Sequence, residues 1–227
     1  MKTRACLLAL PLVLLGTGGA FTVADAAKAP APVCNIVKDD TGDAKLVAVP
    51  GGGNDDIVSA DVASDGKTIT GVIRLAALDA NDPNAPLGHN YIVNFSAKGV
   101  ENPLFVAART YPTGTKFIFG YQSTDPTLPI NISYPIGDAT GTVDLAKKEI
   151  RISAPNAAFE PAGSKLALGT KLLGVGALSY RVAGQGLVPS QSVGGHFVPL
   201  GGLSEQFDNA AGGNYVVGTP SCVKPGA

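Results

Sequence analysis

The chain has 227 residues, with 17 Lys and Arg against 18 Asp and Glu, and its formal net charge at pH 7 is -1. This near-neutral balance gives no electrostatic reason to expect a nucleic-acid partner or attachment to an anionic membrane surface. The high content of glycine (29) and proline (17), together with scattered β-branched residues, predicts an all-β chain.

The first 26 residues have the pattern of a secretory signal peptide. Basic residues precede an apolar run from Ala5 to Leu15, and small residues then lead to the A-x-A-like cleavage site Ala24–Ala26. A membrane anchor is the alternative, but the run is short and contains Pro11. A lipid anchor needs a cysteine just after the apolar run, and Cys6 lies at its start, which argues against such an anchor. We therefore predict a signal peptide over 1–26, no membrane span after its removal, and a secreted, extracellular or cell-surface protein.

The two cysteines that follow the leader predict a disulfide. Residues 27–33 (AKAPAPV) have the composition of a Pro/Ala linker, and residues 34–227 are predicted to form a single domain. In an exported protein, Cys34 and Cys222 at opposite ends of that domain favour a bridge that closes it. Two free thiols are the alternative. A metal or redox pair would favour cysteines close in sequence or next to a histidine, and neither arrangement occurs.

The strongest local signal lies in the stretch 54–78. The dipeptide Asp65–Gly66 predicts a hairpin with a two-residue loop. This register places Val58 opposite Ile73 on an apolar face and leaves Ile57 on a mostly polar face. Because an isolated hairpin is marginally stable in water, a second sheet is expected to cover the apolar face.

Further strands are predicted along the rest of the chain, in order at 34–38, 46–49, 89–97, 103–111, 116–122, 170–182 and 215–217. A second hairpin with loop 146–149 would pair Asp144 with Arg151 across the strands. Loops are expected over 155–163 and 183–211. The predicted fold is an antiparallel β-sandwich of jelly-roll or immunoglobulin-like type with Gly-rich loops.

No catalytic motif is present in the sequence. It lacks a G-x-S-x-G elbow, an H-E-x-x-H zinc motif, a phosphate-binding loop and a C-x-x-C pair. The chain has 2 histidines, His89 and His196. Ser192, His196 and Asp208 could form a nucleophilic set, but surface histidines on loops are far commoner. We therefore predict that the protein is not an enzyme.

A cluster of acidic residues is the best candidate site, and its members flank a short predicted strand: Asp39, Asp40, Asp43, Asp55 and Asp56. Several carboxylates in Gly-rich turns suit Ca²⁺, which takes six to eight oxygen ligands in flexible geometry. The alternative is turn capping by short acidic side chains, which is a routine use of Asp.

Three features follow one another in this part of the chain: the acidic turn 39–43, the segment Asp-Asp-Ile-Val at 55–58, and a strand–turn–strand closed by Leu75 and Leu78. In this order they resemble the opening of family 9 carbohydrate-binding-like β-sandwich modules. The likeness covers residues 38 to about 78. Small secreted bacterial proteins of unknown function look similar. The resemblance implies a β-sandwich and a calcium position with three ligands, Asp39, Asp43 and Asp56. Sugar binding in that family relies on aromatic stacking, often by tryptophan; this chain has none, so tyrosines would have to replace it.

Three classes of function are consistent with these observations. The first is a non-catalytic, monomeric extracellular binding module for a glycan or another cell-envelope component. The second is a secreted hydrolase with an unrecognised acidic site, which would require carboxylates of unequal pKa in one cleft. The third is a structural or assembly protein that pairs through an exposed sheet edge.

Overall fold

The structure is a computed structural model that describes residues 31–46, 49–124, 133–182, 191–193, 196–198 and 204–226. The predicted signal peptide and most of the predicted linker lie outside the described residues. Within the described part, no helix is long and apolar enough to cross a membrane.

The described secondary structure consists of 16 strands and one 3-10 helix, in this order: β1 (Val37–Lys38), β2 (Lys45–Leu46), β3 (Val49–Pro50), β4 (Ile57–Ser64), β5 (Thr68–Leu75), β6 (His89–Ala97), β7 (Leu104–Tyr111), β8 (Gly114–Gln122), β9 (Ser133–Asp138), β10 (Thr140–Asp144), β11 (Glu149–Pro155), the 3-10 helix (Asn156–Ala162), β12 (Lys171–Val182), β13 (Gln191–Val193), β14 (His196–Val198), β15 (Ser204–Ala211) and β16 (Tyr215–Val216).

Two antiparallel sheets face each other and form a β-sandwich, as predicted. The five-stranded sheet has the order β1-β4-β5-β11-β10. The seven-stranded sheet has the order β15-β12-β6-β7-β8-β9, and β16 also pairs with β12. The pairs β2-β3 and β13-β14 form short hairpins outside these sheets.

The inner faces of both sheets contribute to one apolar core. The five-stranded sheet contributes Ile73 and Ile150, and the seven-stranded sheet contributes Val93 and Val106. All four residues are inaccessible to solvent. Gly71 lies in close contact with the facing sheet, because a Cβ added there would stand 2.6 Å from Cγ2 of Val106. Core packing thus requires a residue without a side chain at this position.

The central hairpin forms, but its predicted register is wrong. Ser64 pairs with Ile69 instead of Lys67. The carboxylate of Asp65 accepts hydrogen bonds from the two backbone N–H groups at positions 67 and 68, both at 2.8 Å. Only Gly66 takes a positive φ in this turn, at 86°. A two-residue loop of the predicted kind needs positive φ at both central residues, so side-chain capping by Asp65 selects a longer turn.

The prediction that Val58 lies on the apolar face opposite Ile73 is wrong, because the longer turn pairs Ile73 with Ala60 and a β-bulge at Val58 reverses the direction of its side chain. The register between β4 and β5 shifts between Ile57 and Ser59, which makes Val58 the extra residue. Ile57 is therefore fully buried in the core, whereas Val58 is half-buried. A bulge inverts the direction of the side chains that follow it, and strand alternation alone cannot reveal this.

The second hairpin also forms with a different register. Asp144 pairs with Glu149 rather than with Arg151. Its carboxylate accepts a hydrogen bond from the N–H of Lys147 at 3.0 Å, and Lys148 takes a positive φ of 55°. As in the first hairpin, turn chemistry sets the register in place of a cross-strand ion pair.

Two segments predicted as loops contain regular structure. The range 183–211 includes β13, β14 and β15, and β15 pairs along β12 over most of its length. The range 155–163 includes the 3-10 helix, whose Phe159 is fully buried in the core. Both segments have few β-branched residues, so composition conceals structure that is held by tertiary pairing.

Cys34 and Cys222 form the predicted disulfide, with Cα atoms 5.2 Å apart. Beside it, Val33 and Ser221 form a parallel bridge. Val223 is buried against β4 and β5 on the outer side of the five-stranded sheet. The bond therefore fastens the first and last described segments to the same region of the sandwich.

Candidate functional site

Four carboxylates from separate parts of the chain come together beside β4, in a group that we call the acidic site: Asp39, Asp43, Asp56 and Asp208. One oxygen each from Asp39, Asp43 and Asp208 lie within 4.8 Å of one another. Asp56 lies next to them, since the N–H of Gly42 in the same turn donates to its Oδ2 at 2.7 Å. The structure thus groups two of the three residues predicted as calcium ligands, Asp39 and Asp43, with Asp208, which was not predicted, and it places the third, Asp56, beside them.

Two β-bulges lie beside the acidic site. One is at Val58 in β4, and the other is at Phe207 in β15, where the register with β12 shifts. The N–H of Ile57 donates to Oδ2 of Asp208 at 2.7 Å, which ties the two bulged strands together. Bulges commonly re-aim side chains next to functional sites. Here one bulge lies next to Asp208 and the other two residues after Asp56.

The acidic site contains buried oxygen atoms without hydrogen-bond donors. Oδ2 of Asp39 and Oδ1 of Asp56 are buried and have no hydrogen-bond partner among the described residues. Asp56 is only 5% exposed and Asp208 8%. An ionised carboxylate without a donor or a counter-charge is costly to bury. A bound cation would supply the missing interaction.

The electrostatics of the acidic site also indicate uncompensated negative charge. Burial raises the pKa of Asp208 to about 6, against the opposing effect of two backbone N–H groups, and repulsion from Asp39 and Asp43 adds to the rise. Burial likewise raises the pKa of Asp39 and of Asp56, and neighbouring carboxylates raise both further. Ionisation of each of these groups therefore destabilises the folded protein.

The ligand chemistry fits a hard divalent cation. All four side chains offer oxygen, and carboxylates can bind Ca²⁺ through one or both oxygens at flexible geometry. Among the described residues, no histidine or cysteine joins this group, although zinc sites usually contain such ligands. An all-oxygen set of this kind is typical of Ca²⁺ and the other hard divalent cations.

The raised pKa of Asp208 predicts a specific pH dependence in the absence of metal. Between about pH 4 and 6 the folded protein binds a proton at Asp208 that the unfolded chain has lost, so stability increases as the pH falls. Lowering the pH from 7 to 5 should stabilise the cation-free protein by roughly 1 kcal/mol more in the wild type than in Asp208→Asn. Urea denaturation in EDTA at both pH values measures this difference, and equal pH dependence in the two proteins would contradict it.

Asp55, the neighbour of Asp56, points into a different group of charges. Arg181 binds it with two nitrogens, Nε at 3.0 Å and Nη2 at 2.5 Å, and the N–H of Gly52 donates to it at 2.6 Å. Nε2 of His89 lies 3.5 Å from Oδ1 of Asp55 and 3.3 Å from Oδ2 of Asp82, without a well-directed hydrogen bond to either. We call Asp55, Asp82, His89 and Arg181 the ion network.

The ion network keeps Asp55 ionised although no part of the residue is exposed. Burial opposes ionisation, but the nearby His89 ring, the Arg181 guanidinium and the N–H of Gly52 together hold the pKa of Asp55 below its usual value. The guanidinium also stacks over the ring of Phe207, with its central carbon 4.0 Å from the ring centroid. This is a paired, well-anchored buried charge.

A cleft of about 630 Å³ opens above the ion network. Its walls are the loop between β5 and β6, the turn between β7 and β8, and the end of β10. The polar residues that line it are Asp79, Asn81, Asp82, His89, Thr110 and Thr115. Prolines and the exposed Leu145 provide apolar walls.

The sequence does not predict that three residues belong to the acidic site or the ion network: Asp82, Arg181 and Asp208. Asp82 lies in a loop of turn-forming composition, and Arg181 ends a strand, so neither position carries a local signal. The sequence suggests a role for Asp208 only beside Ser192 and His196, whose side chains lie outside the described residues. Its place in the acidic site depends on the pairing of β15 with β12, which has no local signal in the sequence.

Comparison with known protein families, curated proteins and solved structures finds no match to this chain. The resemblance to family 9 carbohydrate-binding-like modules therefore stays a prediction. The function has to be inferred from the fold and from the two groups of charged residues.

Proposed function

We propose that this protein is an exported, non-catalytic binding module that holds Ca²⁺ at the acidic site. The observation that carries the calcium proposal is the convergence of three carboxylates, Asp39, Asp43 and Asp208, with Asp56 beside them, because Asp39 and Asp56 each have a buried oxygen that lacks a donor among the described residues. The cation would join the turn after β1 to β4 and β15. It would thereby brace a region in which both sheets take part.

Export, compartment and ligand belong to the same proposal. The signal-peptide pattern and the disulfide support a secreted or cell-surface location. We propose a monomer, with a sandwich of the jelly-roll or immunoglobulin-like type and a glycan or another envelope component as its ligand. Retention of the protein on immobilised cell-wall or plant polysaccharides tests whether it binds a glycan. A complete lack of retention would exclude a glycan as the ligand.

Calcium binding predicts a measurable stabilisation. Ca²⁺ at a hundredfold excess over its Kd is expected to raise the free energy of unfolding by about 2.7 kcal/mol relative to EDTA, because only the folded chain gathers the ligands. Isothermal titration calorimetry and thermal unfolding with and without EDTA measure the binding and the stabilisation.

Two variants of the same turn provide the matched comparison. Asp43 is exposed and belongs to the oxygen triad, so Asp43→Ala should weaken Ca²⁺ binding by roughly tenfold or more through loss of one charged ligand. Asp40 is exposed and outside the triad, so Asp40→Ala should retain most of the binding. An identical melting midpoint in Ca²⁺ and EDTA would leave turn capping as the role of these residues.

A further inference from the structure

The cleft above the ion network is a pre-formed cavity of a size that suits a small ligand. The loop that forms one wall is held by backbone hydrogen bonds, including those from Ala77 N–H to the Gly53 carbonyl and from Asp79 N–H to Oδ1 of Asn54, both at 2.9 Å. Leu78 is buried beneath it. The wall therefore does not need to be ordered by the ligand, which reduces the entropic cost of binding.

The floor of the cleft is polar and fixed. His89 is only 4% exposed, and its ring stacks on that of Tyr91 with centroids 5.5 Å apart. Its Nε2 has no hydrogen-bond partner among the described residues. Asp82 lies against it, with Oδ1 accepting a hydrogen bond from Asn84 N–H at 2.8 Å. A carboxylate and an imidazole therefore line the cavity, and these contacts restrain both side chains.

The charge of the lining selects the kind of ligand. Asp79 and Asp82 are acidic, and no lysine or arginine is among the described residues that line the cleft. Arg181 lies below the floor and is bound to Asp55. A cavity with acidic groups between apolar walls concentrates negative potential, which attracts cations and repels anions.

We propose that this cleft binds a ligand that carries a cationic amine on an apolar stem. The ammonium group would lie near Asp79 and Asp82, and the stem would pack on the proline-rich wall and Leu145. This inference rests on the proposal that the protein is a binding module, and it names the chemical class of a ligand. The site is separate from the acidic site and does not require a metal as ligand.

The test is an NMR titration of the full chain in Ca²⁺ with three probes of similar length: 1,5-diaminopentane, 1,5-pentanediol and glutarate. The chain has only 2 histidines, so the ring resonances of His89 are readily assigned with His196→Gln. We expect saturable shifts of the His89 ring with the diamine, much weaker shifts with the diol and none with glutarate. Equal binding of the diol and the diamine, or no saturable shift with any probe, would overturn the proposal.

Variants localise the charge that the ligand contacts. Asp79→Asn should weaken diamine binding by about fivefold, the effect of losing one solvent-accessible ion pair. Glu160→Gln, an exposed acid in the 3-10 helix that does not line the cleft, should leave it unchanged. Unchanged binding in Asp79→Asn would count against the site. Calcium titration of the same proteins after removal of Ca²⁺ with EDTA reports separately on the acidic site, so failure of one proposal can be told from failure of the other.

Discussion

Replacing Cys34 and Cys222 together by serine is expected to lower the free energy of unfolding by up to roughly 5 kcal/mol. The two residues are 188 positions apart in sequence, and the bond therefore removes the closure entropy of a very long loop from the unfolded state. The loss would be a large fraction of the stability of an ordinary domain, which is about 5–15 kcal/mol. Urea denaturation of the oxidised protein and of the double variant measures the difference.

Reduction with dithiothreitol is the matched control for this experiment. It should lower the stability of the wild type and leave that of the double variant unchanged. The bridge at Val33–Ser221 and the burial of Val223 should also weaken in the double variant, since both lie beside the disulfide. Faster hydrogen exchange at these termini, with slow exchange kept in β5 and β6, would show where the structure opens first. A double variant as stable as the wild type would show that the other terminal contacts suffice.

The parts of the fold that are predictable from sequence depend on strand composition. The strand predicted at 89–97 has the bounds of β6, and its alternating apolar residues point into the core. The predicted registers of both hairpins are wrong for one reason. Asp65 and Asp144 cap their turns with side-chain oxygens, and this local chemistry outweighs the pairing that charge and hydrophobicity suggest.

The acidic site is partly predictable because three of its members lie close together in sequence. Asp39, Asp43 and Asp56 stand out as an acidic group in Gly-rich turns. Asp208 cannot be predicted, because it enters through a bulged strand 151 residues away from its hydrogen-bond donor Ile57. Long-range pairing of this kind leaves no local pattern in the sequence.

Two pairs of adjacent residues connect the acidic site to the ion network, with one member of each pair on either side. Asp55 and Asp56 are adjacent in sequence, yet the first belongs to the ion network and the second to the acidic site. Phe207 and Asp208 divide in the same way, since the ring of Phe207 supports Arg181. The backbone that carries Asp56 and Asp208 of the acidic site is therefore the same backbone that anchors the charges under the cleft.

Removal of the positive charge in the ion network should cost about as much as a large-to-small substitution in the core. Arg181→Met keeps an unbranched apolar stem over Phe207 but deprives the fully buried Asp55 of its bidentate partner. Breaking a buried pair by removing one partner typically costs about 3–5 kcal/mol, because the remaining charge stays uncompensated. We expect a loss of about that size at pH 7, measured by urea denaturation.

Two further variants separate the buried charge from the lost packing. Arg181→Met combined with Asp55→Asn should be more stable than Arg181→Met alone, since no ionised carboxylate remains to be buried. Arg151→Met is the matched control: its partner Glu149 keeps a second ion pair with Arg74 at 2.9 Å, so the loss should be about 1 kcal/mol or less. The pH dependence gives an independent check. Lowering the pH toward about 4 should reduce the difference in free energy of unfolding between Arg181→Met and wild type, because Asp55 of the variant then takes up a proton and loses its charge. If this difference does not change with pH and Asp55→Asn gives no rescue, the cost comes from lost packing and not from the isolated carboxylate.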